Sequence, residues 1–351
     1  MRQPLIYALH SGELYGTERM ALVTAEGLRE NYNPIIFAPK GKALVEAQRL
    51  GFETESFATP SEFAFKLRHF LAQSPNLAFI ATGLVHSLSC IAWNIFYRRK
   101  LTHLHVIHGG TDEKLSYGRK RLLNHTNVIF VAVSKFVRQR LIANGVEEKQ
   151  IVVVENFLPN KQIIDAPKRP RFDNEAVRRV LVVSRLDPIK RVDLLLDTLD
   201  EYPELSGLEF RIVGTGSEAE KLQQRASRNN PNVTFAGYVK DVAQELASSD
   251  LLLHLCHVEP FGLAILEAMA ARLPVLVPDQ GGASSIIEEA VSGFHFRANS
   301  TEDLANKLKE ISLLSAEKLN SVSELGLKKL VNQFSANSRI NDYKYLLKEG
   351  Y

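Results

Sequence analysis

Short apolar runs alternate with longer amphipathic stretches along most of the 351-residue chain. In the first half, runs with the length and the flanking residues of buried strands lie at 4–9, 33–39, 77–82, 101–108 and 127–133. The stretches between them, long enough for helices or loops, include 17–30, 41–50, 61–73, 84–98 and 135–144. Strands without a polar face that alternate with helices are typical of a parallel sheet covered on both sides. The pattern therefore predicts a βαβ fold for this half.

The apolar pattern stops and then restarts further along the chain. Residues 156–178 are rich in Pro, Lys, Arg and Asp and lack an apolar period, which is typical of a linker. Six further strand-like runs follow, at 177–184, 208–214, 232–237, 250–256, 274–278 and 293–296. A chain of this length also exceeds what a single hydrophobic core usually serves.

We therefore predict an α/β protein of two Rossmann-like domains that face each other across a cleft. The N-terminal domain covers 1–160, the linker 161–177 and the C-terminal domain 178–334, and a last helix at about 335–351 crosses back to the first domain. Ligands of open α/β sheets bind beyond the carboxyl ends of the strands, so the cleft is the expected site.

Composition narrows the class of protein. Hydrophobic residues make up 45% and charged residues 24% of the chain, which is ordinary for a soluble globular protein. No apolar run approaches the roughly 18 residues that a membrane span needs. The two cysteines, Cys90 and Cys256, exclude a disulfide framework and a four-cysteine zinc site. They fit a reducing compartment, and we expect a cytoplasmic location.

Charge is divided unevenly along the sequence. Residues 1–160 carry 19 Lys and Arg against 13 Asp and Glu, a balance of +6, whereas the remaining residues carry 24 against 27, a balance of −3. The first half also holds seven of the ten histidines. A basic half fits an anionic partner or an acidic membrane surface, and it also fits an ordinary solvated face. Composition leaves both interpretations open.

Two cations follow the first apolar run of the second half. Arg185 comes directly after that strand, and Lys190 begins the next helix beyond an Asp187-Pro188 turn. Both side chains can therefore meet over the strand ends. Arg binds phosphate through two parallel hydrogen bonds and Lys acts as a point charge, so the pair suits a diphosphate. Taken alone, the spacing also fits two surface cations.

The stretch 259–270 carries two acids eight residues apart. Glu259 lies in a loop after a strand, Gly262 marks a helix start, and Glu267 lies on that helix among apolar residues that leave it little polar face. The first backbone N–H groups of the helix form an anion-binding site. We expect both carboxylates to point into the same cleft.

A Gly-x-Gly at Gly214 and Gly216 follows the second strand of this half. It lacks a complete dinucleotide fingerprint, and the acid expected about 20 residues further on is missing. We interpret it as a tight strand–helix turn, which argues against a nicotinamide-dependent oxidoreductase.

Segments 184–199, 232–239 and 259–282 resemble the donor-binding domain of the retaining glycosyltransferases of family 4, which have the GT-B fold of two Rossmann-like domains. The first half resembles that family more loosely, through 14–28, 106–110, 131–137 and 152–156. The resemblance implies transfer of a sugar from a UDP- or GDP-sugar to an acceptor hydroxyl, in glycan, polysaccharide or glycolipid synthesis. A non-catalytic nucleotide-sugar-binding subunit of the same fold is the alternative.

The resemblance also implies roles for individual residues. Arg185 and Lys190 hold the diphosphate, Glu259 binds hydroxyls of the donor sugar, Glu267 binds the ribose, and His108 contacts the donor sugar near the reaction centre. The remaining donor-binding residues, which act through the backbone or lie beside the base, are Gly16, Phe261, Gly262, Leu263, Tyr238 and Val239.

The sequence departs from the family pattern at three positions, one of which is Phe157, where a glycine commonly follows the asparagine. Tyr15 replaces a glycine before Gly16, so this loop is expected to be stiffer, and Ser285 stands where a glutamate is usual. The change at Ser285 bears on the preferred nucleotide or sugar.

Cofactors and partners follow from the same reasoning. No Asp-x-Asp metal motif ends a strand and two cations already neutralise the diphosphate, so we expect no metal and no cofactor. The expected partners are a nucleotide-sugar donor and a sugar, glycan or lipid-linked acceptor, and no nucleic acid. Basic segments at 97–100 and 117–121, with the helix at 61–73, are candidates for acceptor docking or for peripheral contact with the cytoplasmic membrane face. For the helix, packing of its apolar side on the sheet is the simpler alternative.

Overall fold

The computed structural model describes residues 2–110, 113–173 and 177–349. The chain divides into two compact units, one formed by Met1–Phe157 with Ala336–Tyr351 and the other by Leu158–Ser335. Each is built on a parallel sheet with helices, so the predicted fold class is confirmed.

The described part of the first unit contains seven strands: β1 (Gln3–Ala8), β2 (Tyr32–Ala38), β3 (Glu53–Ser56), β4 (Ala78–Ala81), β5 (His103–Ile107), β6 (Val128–Ala132) and β7 (Ile151–Val153). Its α-helices up to β7 are α1 (Gly16–Leu28), α2 (Lys42–Arg49), α3 (Pro60–Gln73), α4 (Leu84–Phe96), α5 (Glu113–Ser116) and α6 (Lys135–Ala143). Two 3-10 helices cover Gly118–Leu123 and Glu148–Gln150. The strands pair in parallel in the order β3-β2-β1-β4-β5-β6-β7. The order reverses between β1 and β4, which is the topological switch point of this sheet.

In the second unit the described strands are β8 (Arg179–Val183), β9 (Glu209–Val213), β10 (Val233–Gly237), β11 (Leu251–Leu253), β12 (Val275–Pro278) and β13 (Phe294–Phe296). The helices are α7 (Asn160–Asp165), α8 (Val192–Glu201), α9 (Ala219–Asn229), α10 (Val242–Ala247), α11 (Leu263–Ala270), α12 (Gly281–Ser284), α13 (Thr301–Ser312) and α14 (Ala316–Gln333), with 3-10 helices at Pro188–Lys190 and Pro203–Gly207. The strands pair in parallel in the order β10-β9-β8-β11-β12-β13, with the switch point between β8 and β11.

The last helix, α15 (Ala336–Glu349), belongs to the first unit and packs on α1. A Cβ at Gly27 of α1 would lie 2.4 Å from the Ile340 side chain, so the glycine permits close contact between the two helices. Tyr343 of α15 is buried, which raises its phenol pKa, and Lys344 reaches Glu30 at 2.7 Å. Packing of α15 within the first unit thus rests on apolar burial, with the Lys344–Glu30 and Arg339–Glu155 ion pairs beside it.

The predicted strands match the described ones closely, but β3 and β7 were missed. Both lie at sheet edges and are only four and three residues long. The sequence of β3 is Glu-Thr-Glu-Ser, which has no apolar run. Strands that form without burying apolar side chains leave no signal in a hydrophobic pattern.

Residues 161–177, predicted as a linker, lie within the second unit. Phe172 and Val177 are buried in its core, and Arg169 forms an ion pair with the buried Asp250 at 2.7 Å. This Pro- and Arg-rich segment is therefore attached to the second unit by a few buried contacts. They are spaced too irregularly to produce a hydrophobic period in the sequence.

Two basic elements of the first unit differ from their expected surface role. On α3, Phe63, Leu67 and Leu71 are fully buried in the core with strand residues, so the apolar side of this helix packs on its sheet and does not face a membrane. In the segment 117–121, Lys120 is buried whereas Arg119 and Arg121 are exposed. None of the helices among the described residues has the length and apolar character that a bilayer crossing requires.

Candidate functional site

The predicted cations and acids of the second unit follow β8 and β11, the two strands at its switch point. Arg185 and Lys190 lie between β8 and α8, and Glu259 lies between β11 and α11. Because these strands are neighbours and parallel, their carboxyl ends bring the two loops side by side.

Lys190 and Glu259 form a largely buried ion pair. The Lys190 Nζ lies 2.5 Å from the Glu259 Oε2, and the side chains are 17% and 15% exposed. Burial lowers the pKa of Lys190, but the Glu259 carboxylate raises it by more, so the net pKa is above its usual value. Burial raises the pKa of Glu259, but the positively charged groups around it, Lys190 foremost, together lower it by more, so the net pKa is below its usual value. Both groups are therefore charged at neutral pH.

His254 and Cys256 border this pair, and neither is among the residues that the sequence predicts for the site. The His254 Nε2 lies 3.7 Å from the Glu259 Oε2, and burial lowers the pKa of this imidazole to about 4. Burial raises the pKa of the Cys256 thiol to about 11. A neutral imidazole and a neutral thiol thus border the ion pair. The signal available in the sequence is that His254 and Cys256 come just after the apolar strand β11.

Arg185 is the exposed cation of the site. Its guanidinium pairs with the Asp187 carboxylate at 2.7 Å, and its side chain is 60% exposed. It also lowers the pKa of both Lys190 and Glu259, so it lies within electrostatic reach of them. The strand ends thus carry one solvent-exposed and one largely buried positive charge.

The Gly-x-Gly turn after β9 supports the loop that carries Arg185. A Cβ at Gly214 would lie 1.8 Å from the Ser184 carbonyl oxygen, and one at Gly216 would lie 2.5 Å from the Leu186 backbone. The Leu186 N–H donates to the Thr215 carbonyl at 2.9 Å. Because these glycines have no side chain, the backbone of the neighbouring loop can pack closely against them. This agrees with the interpretation as a tight strand–helix turn.

The start of α11 has the backbone geometry expected of an anion site. Gly262 has φ of 104°, a left-handed conformation that glycine adopts without strain, and α11 begins at Leu263. The Phe261 ring is buried against Phe334, with ring centroids 5.9 Å apart, so this residue presents its backbone to the site. On α11 itself, Glu267 accepts a hydrogen bond from the Gln162 amide at 3.4 Å.

Two further predicted residues lie away from the ion pair in the sheet order. Tyr238 and Val239 follow β10, an edge strand separated from β8 by β9. The Tyr238 ring is 75% exposed and Val239 is partly buried. An exposed ring at a strand end is free to stack on a planar ligand.

Gly16 and His108 belong to the first unit. Gly16 is the first residue of α1 and is exposed, and the Glu18 carboxylate accepts from the Tyr15 N–H at 3.2 Å. His108 follows β5, and burial lowers its pKa to about 3, so the ring is neutral at pH 7. Its Nε2 atom is buried and has no hydrogen-bond partner among the described residues.

Two segments of the chain match known protein families. Residues 163–329 match the sequence model of the glycosyl transferases group 1, and residues 15–160 match that of glycosyltransferase family 4. A poly(ribitol-phosphate) alpha-N-acetylglucosaminyltransferase of Staphylococcus aureus is 29% identical over 206 residues, which are 56% of this chain and 40% of that protein. The chain covers 40%, 53% and 51% of the length of three curated relatives, or about half.

Solved structures of similar architecture cover nearly the whole chain. A glycosyltransferase from Rickettsia africae has a TM-score of 0.85 at 20% identity and covers 99% of this chain and 98% of its own. Anabaena HepE in complex with UDP-glucose has a TM-score of 0.82 at 19% identity and covers 99% of both chains. At these identities the likeness establishes a common fold of two Rossmann-like domains.

Proposed function

Because the chain belongs to the group 1 glycosyltransferases of family 4, we propose that it transfers a sugar from a nucleotide-sugar donor to an acceptor hydroxyl with retention of the anomeric configuration. The transfer would serve glycan, polysaccharide or glycolipid synthesis in the cytoplasm. The observation that carries the proposal is the buried Lys190–Glu259 pair at the β8/β11 switch point, with Arg185 and the start of α11 beside it.

These groups suit the departure of a nucleoside diphosphate. Charge develops on the phosphate oxygens as the glycosidic bond breaks, and fixed cations with a helix N-terminus stabilise it without reorganisation. Lys190 is already held in place by Glu259, whereas Arg185 is exposed and can exchange Asp187 for phosphate. In this proposal Glu259 binds donor-sugar hydroxyls through the oxygen that Lys190 leaves free.

Glu259 and Glu267 are not proposed as a nucleophile and an acid. A retaining pair of that kind stands about 5–5.5 Å apart with the scissile bond between the carboxyl groups. Glu259 is neutralised by Lys190, and Glu267 lies on a different element, where we assign it to the ribose. The departing phosphate oxygen would instead take the proton from the acceptor hydroxyl on the same face of the sugar.

A uridine nucleotide is the donor we favour. Similar solved structures are complexes with UDP or UDP-glucose, and the Staphylococcus relative is an N-acetylglucosaminyltransferase. The likeness of the fold does not carry the sugar specificity, because sugar pockets differ by a few hydrogen bonds.

A thermal-shift series with UDP-, GDP- and ADP-sugars and NAD tests the donor. We expect a UDP-sugar at 100 times its Kd to stabilise the protein by about 2.7 kcal/mol, with NAD inert. Stabilisation by NAD alone would overturn the proposal. Release of UDP from the bound donor in the presence of acceptor mixtures then separates an enzyme from a non-catalytic binding subunit, which would bind without turnover.

No metal is proposed for the reaction, since Arg185 and Lys190 supply positive charge where the diphosphate would lie. We expect activity to be unchanged after dialysis against EDTA, with the magnesium-dependent phosphorylation of glucose by hexokinase and ATP as the control for effective chelation. Loss of activity that returns with added Mg²⁺ or Mn²⁺ would contradict this expectation.

The acceptor is proposed to be a sugar, a glycan or a lipid-linked glycan. In addition, we propose peripheral contact with an anionic membrane through the first unit. The support is the exposed α3–α4 patch, which we define as Phe65, Ile95, Phe96, Arg98 and Lys100. It combines large apolar side chains with cations, as membrane-surface elements do.

A further inference from the structure

Histidines of the first unit gather at its own topological switch point. His10 follows β1 and Thr82 follows β4, the two strands between which the sheet order reverses. The His10 N–H donates to the Thr82 Oγ1 at 3.1 Å, and the His10 Nδ1 lies 2.8 Å from the same oxygen. Two hydrogen bonds thus join the strand ends beyond which open α/β sheets bind ligands.

Gly83 lets a second histidine approach this position. A Cβ at Gly83 would lie 2.8 Å from the Nδ1 of His86 and 3.0 Å from the Cβ of His10. The Nδ1 of His86 is buried and has no hydrogen-bond partner among the described residues. Burial lowers the pKa of His86 to about 4, and His10 contributes a further lowering.

The next strand brings two more imidazoles. His105 lies on β5 and bonds through Nδ1 to the Ser87 Oγ at 2.7 Å, which leaves its Nε2 buried without a partner among the described residues. His108, at the end of the same strand, has an equally unpartnered Nε2. Buried polar atoms in folded proteins nearly always have a partner, so three such nitrogens in one region indicate a missing ligand or water.

Lys120 adds a buried positive charge to these rings. It is 9% exposed and lies on the 3-10 helix Gly118–Leu123, which packs on α4, the helix that carries His86. Among the residues whose side chains the structure describes, no carboxylate forms an ion pair with its ammonium. Burial lowers the pKa of Lys120 to about 8, so most of the population remains charged at pH 7. Its charge also lowers the pKa of His10 and His105, which places both rings within its electrostatic reach.

The cluster formed by His10, His86, His105 and Lys120 therefore contains bases and no acid among the described side chains, and His108, which we assign to the donor sugar, follows His105 at the end of β5. A buried cation without a counter-ion is costly, and the cost falls when an anion binds beside it. A metal cation does not fit, because Lys120 would repel it and the described residues hold no group of three or more potential metal ligands. His10 is exposed, so a ligand can reach the cluster from solvent.

We propose that this basic cluster binds an anionic group of the acceptor, a carboxylate or a phosphate monoester, and that the enzyme therefore selects a negatively charged acceptor. That the anion belongs to an acceptor rests on the proposed glycosyl transfer. The anion-binding site itself does not depend on that proposal. Neutral imidazoles would donate N–H groups to the anion while Lys120 supplies the charge.

The test is a titration of the full chain followed by histidine side-chain ¹⁵N NMR. The probes are glycerol 3-phosphate against glycerol, and methyl glucuronide against methyl glucoside, so that each anion has a neutral match and the two arms separate phosphate from carboxylate. We expect one anion of the two pairs to shift resonances of the cluster histidines, and both neutral compounds to leave them unchanged.

Substitution of Lys120 then identifies the site. Lys120→Met should weaken anion binding at least tenfold, Lys120→Arg should retain most of it, and Lys149→Met, at an exposed lysine, should leave it unchanged. Shifts of equal size in Lys120→Met and the unmodified protein, or no shift with either anion, would overturn the proposal. Binding of UDP, measured in the same samples, keeps a failure of the proposed function distinct from a failure of this site.

Discussion

The Lys190–Glu259 pair shows how much a single buried contact can determine. Removal of one partner of a buried ion pair leaves the other charge uncompensated, whereas removal of both partners together is often nearly neutral. The pair is thus costly to retain for stability alone. Its position at a switch point, beside an exposed Arg185 and a helix start, gives it a use in binding phosphate.

Arg185→Ala and Lys190→Ala should each cost on the order of 3 kcal/mol of transition-state stabilisation, because each removes a charge beside the leaving diphosphate. The measurement is kcat/KM for the donor, with urea unfolding to separate the stability loss expected from the stranded Glu259. Lys221→Ala is the matched control, since this lysine is 80% exposed and pairs only with Glu218 among the described residues. Near-normal kcat/KM in both test variants would contradict the assignment.

Asp250 offers a prediction about stability and pH. Burial raises the pKa of its carboxyl, but hydrogen bonds from Arg169 and from the Arg178 and Arg179 amides lower it by more. A carboxyl with a lowered folded-state pKa contributes stability that is present above its unfolded pKa, about 3.9, and lost as pH falls through the folded value.

We therefore expect Asp250→Asn to lower the free energy of unfolding by about 3 kcal/mol at pH 7. The difference from the unmodified protein should shrink as the pH falls below 4. Urea unfolding at several pH values measures it, with the exposed Asp241→Asn as the control. A difference that does not depend on pH would mean that lost packing, rather than the charge of Asp250, explains the effect.

Sequence reasoning identified residues whose position follows from chain order, and it missed those defined by burial. Arg185, Lys190 and Glu259 each lie just after an apolar run, so their placement at strand ends could be predicted. Histidine and lysine are common at protein surfaces, so the sequence does not mark His254 and Lys120 as unusual. They become candidates for a site because both are buried. Burial of that kind depends on elements distant in sequence and leaves no local pattern.

At the scale of elements, the loop that carries Glu259 is held by a turn 23 residues further along the chain. The Gly282 N–H, at the start of α12, donates to the Glu259 carbonyl at 2.7 Å. A Cβ at Gly282 would lie 1.9 Å from the Pro260 carbonyl oxygen, closer than any real contact. The two loops can therefore keep this arrangement only if residue 282 has no side chain.

Gly282→Ala should accordingly displace the Glu259–Pro260 backbone and weaken donor binding at least tenfold, as a shift of about 1 Å does in a preorganised site. Calorimetric titration with the UDP-sugar measures the loss. Gly207→Ala is the control, because a Cβ there meets no atom within 4 Å and the backbone is not left-handed. Unchanged affinity in Gly282→Ala would show that the loop adjusts without cost.

The errors in element prediction have a physical cause as well. β3 is an edge strand of polar residues, so it has no apolar run, whereas β7 is apolar but only three residues long. Helix α7 lies in a stretch whose composition suggested a linker. The strands are held by backbone pairing, and the stretch around α7 is held by single buried side chains such as Phe172. Hydrophobic periodicity predicts the central strands well because those strands are buried on both faces.

At the scale of the whole molecule, the net positive charge lies in the first half of the chain, with a balance of +6 over residues 1–160 against −3 over the remaining residues. The exposed α3–α4 patch lies in this half, and Phe65, Ile95 and Phe96 are 70%, 72% and 66% exposed. The two helices are joined side by side, since the Trp93 indole N–H donates to the Ala64 carbonyl at 2.8 Å. Large apolar side chains exposed together with cations mark a surface that binds something.

We expect the protein to co-sediment with vesicles that contain anionic phospholipid and not with phosphatidylcholine vesicles, and salt should weaken the binding because it screens the charges. The triple variant Phe65→Ser, Ile95→Ser, Phe96→Ser should lose most of the bound fraction, since each large apolar side chain transferred from water contributes about 1.5–3 kcal/mol when fully buried. Leu313→Ser, at a side chain that is 77% exposed in the second unit, is the matched control. Equal sedimentation of the triple variant and the unmodified protein would assign the vesicle binding to charge alone, and no sedimentation of either would refute membrane contact through this patch.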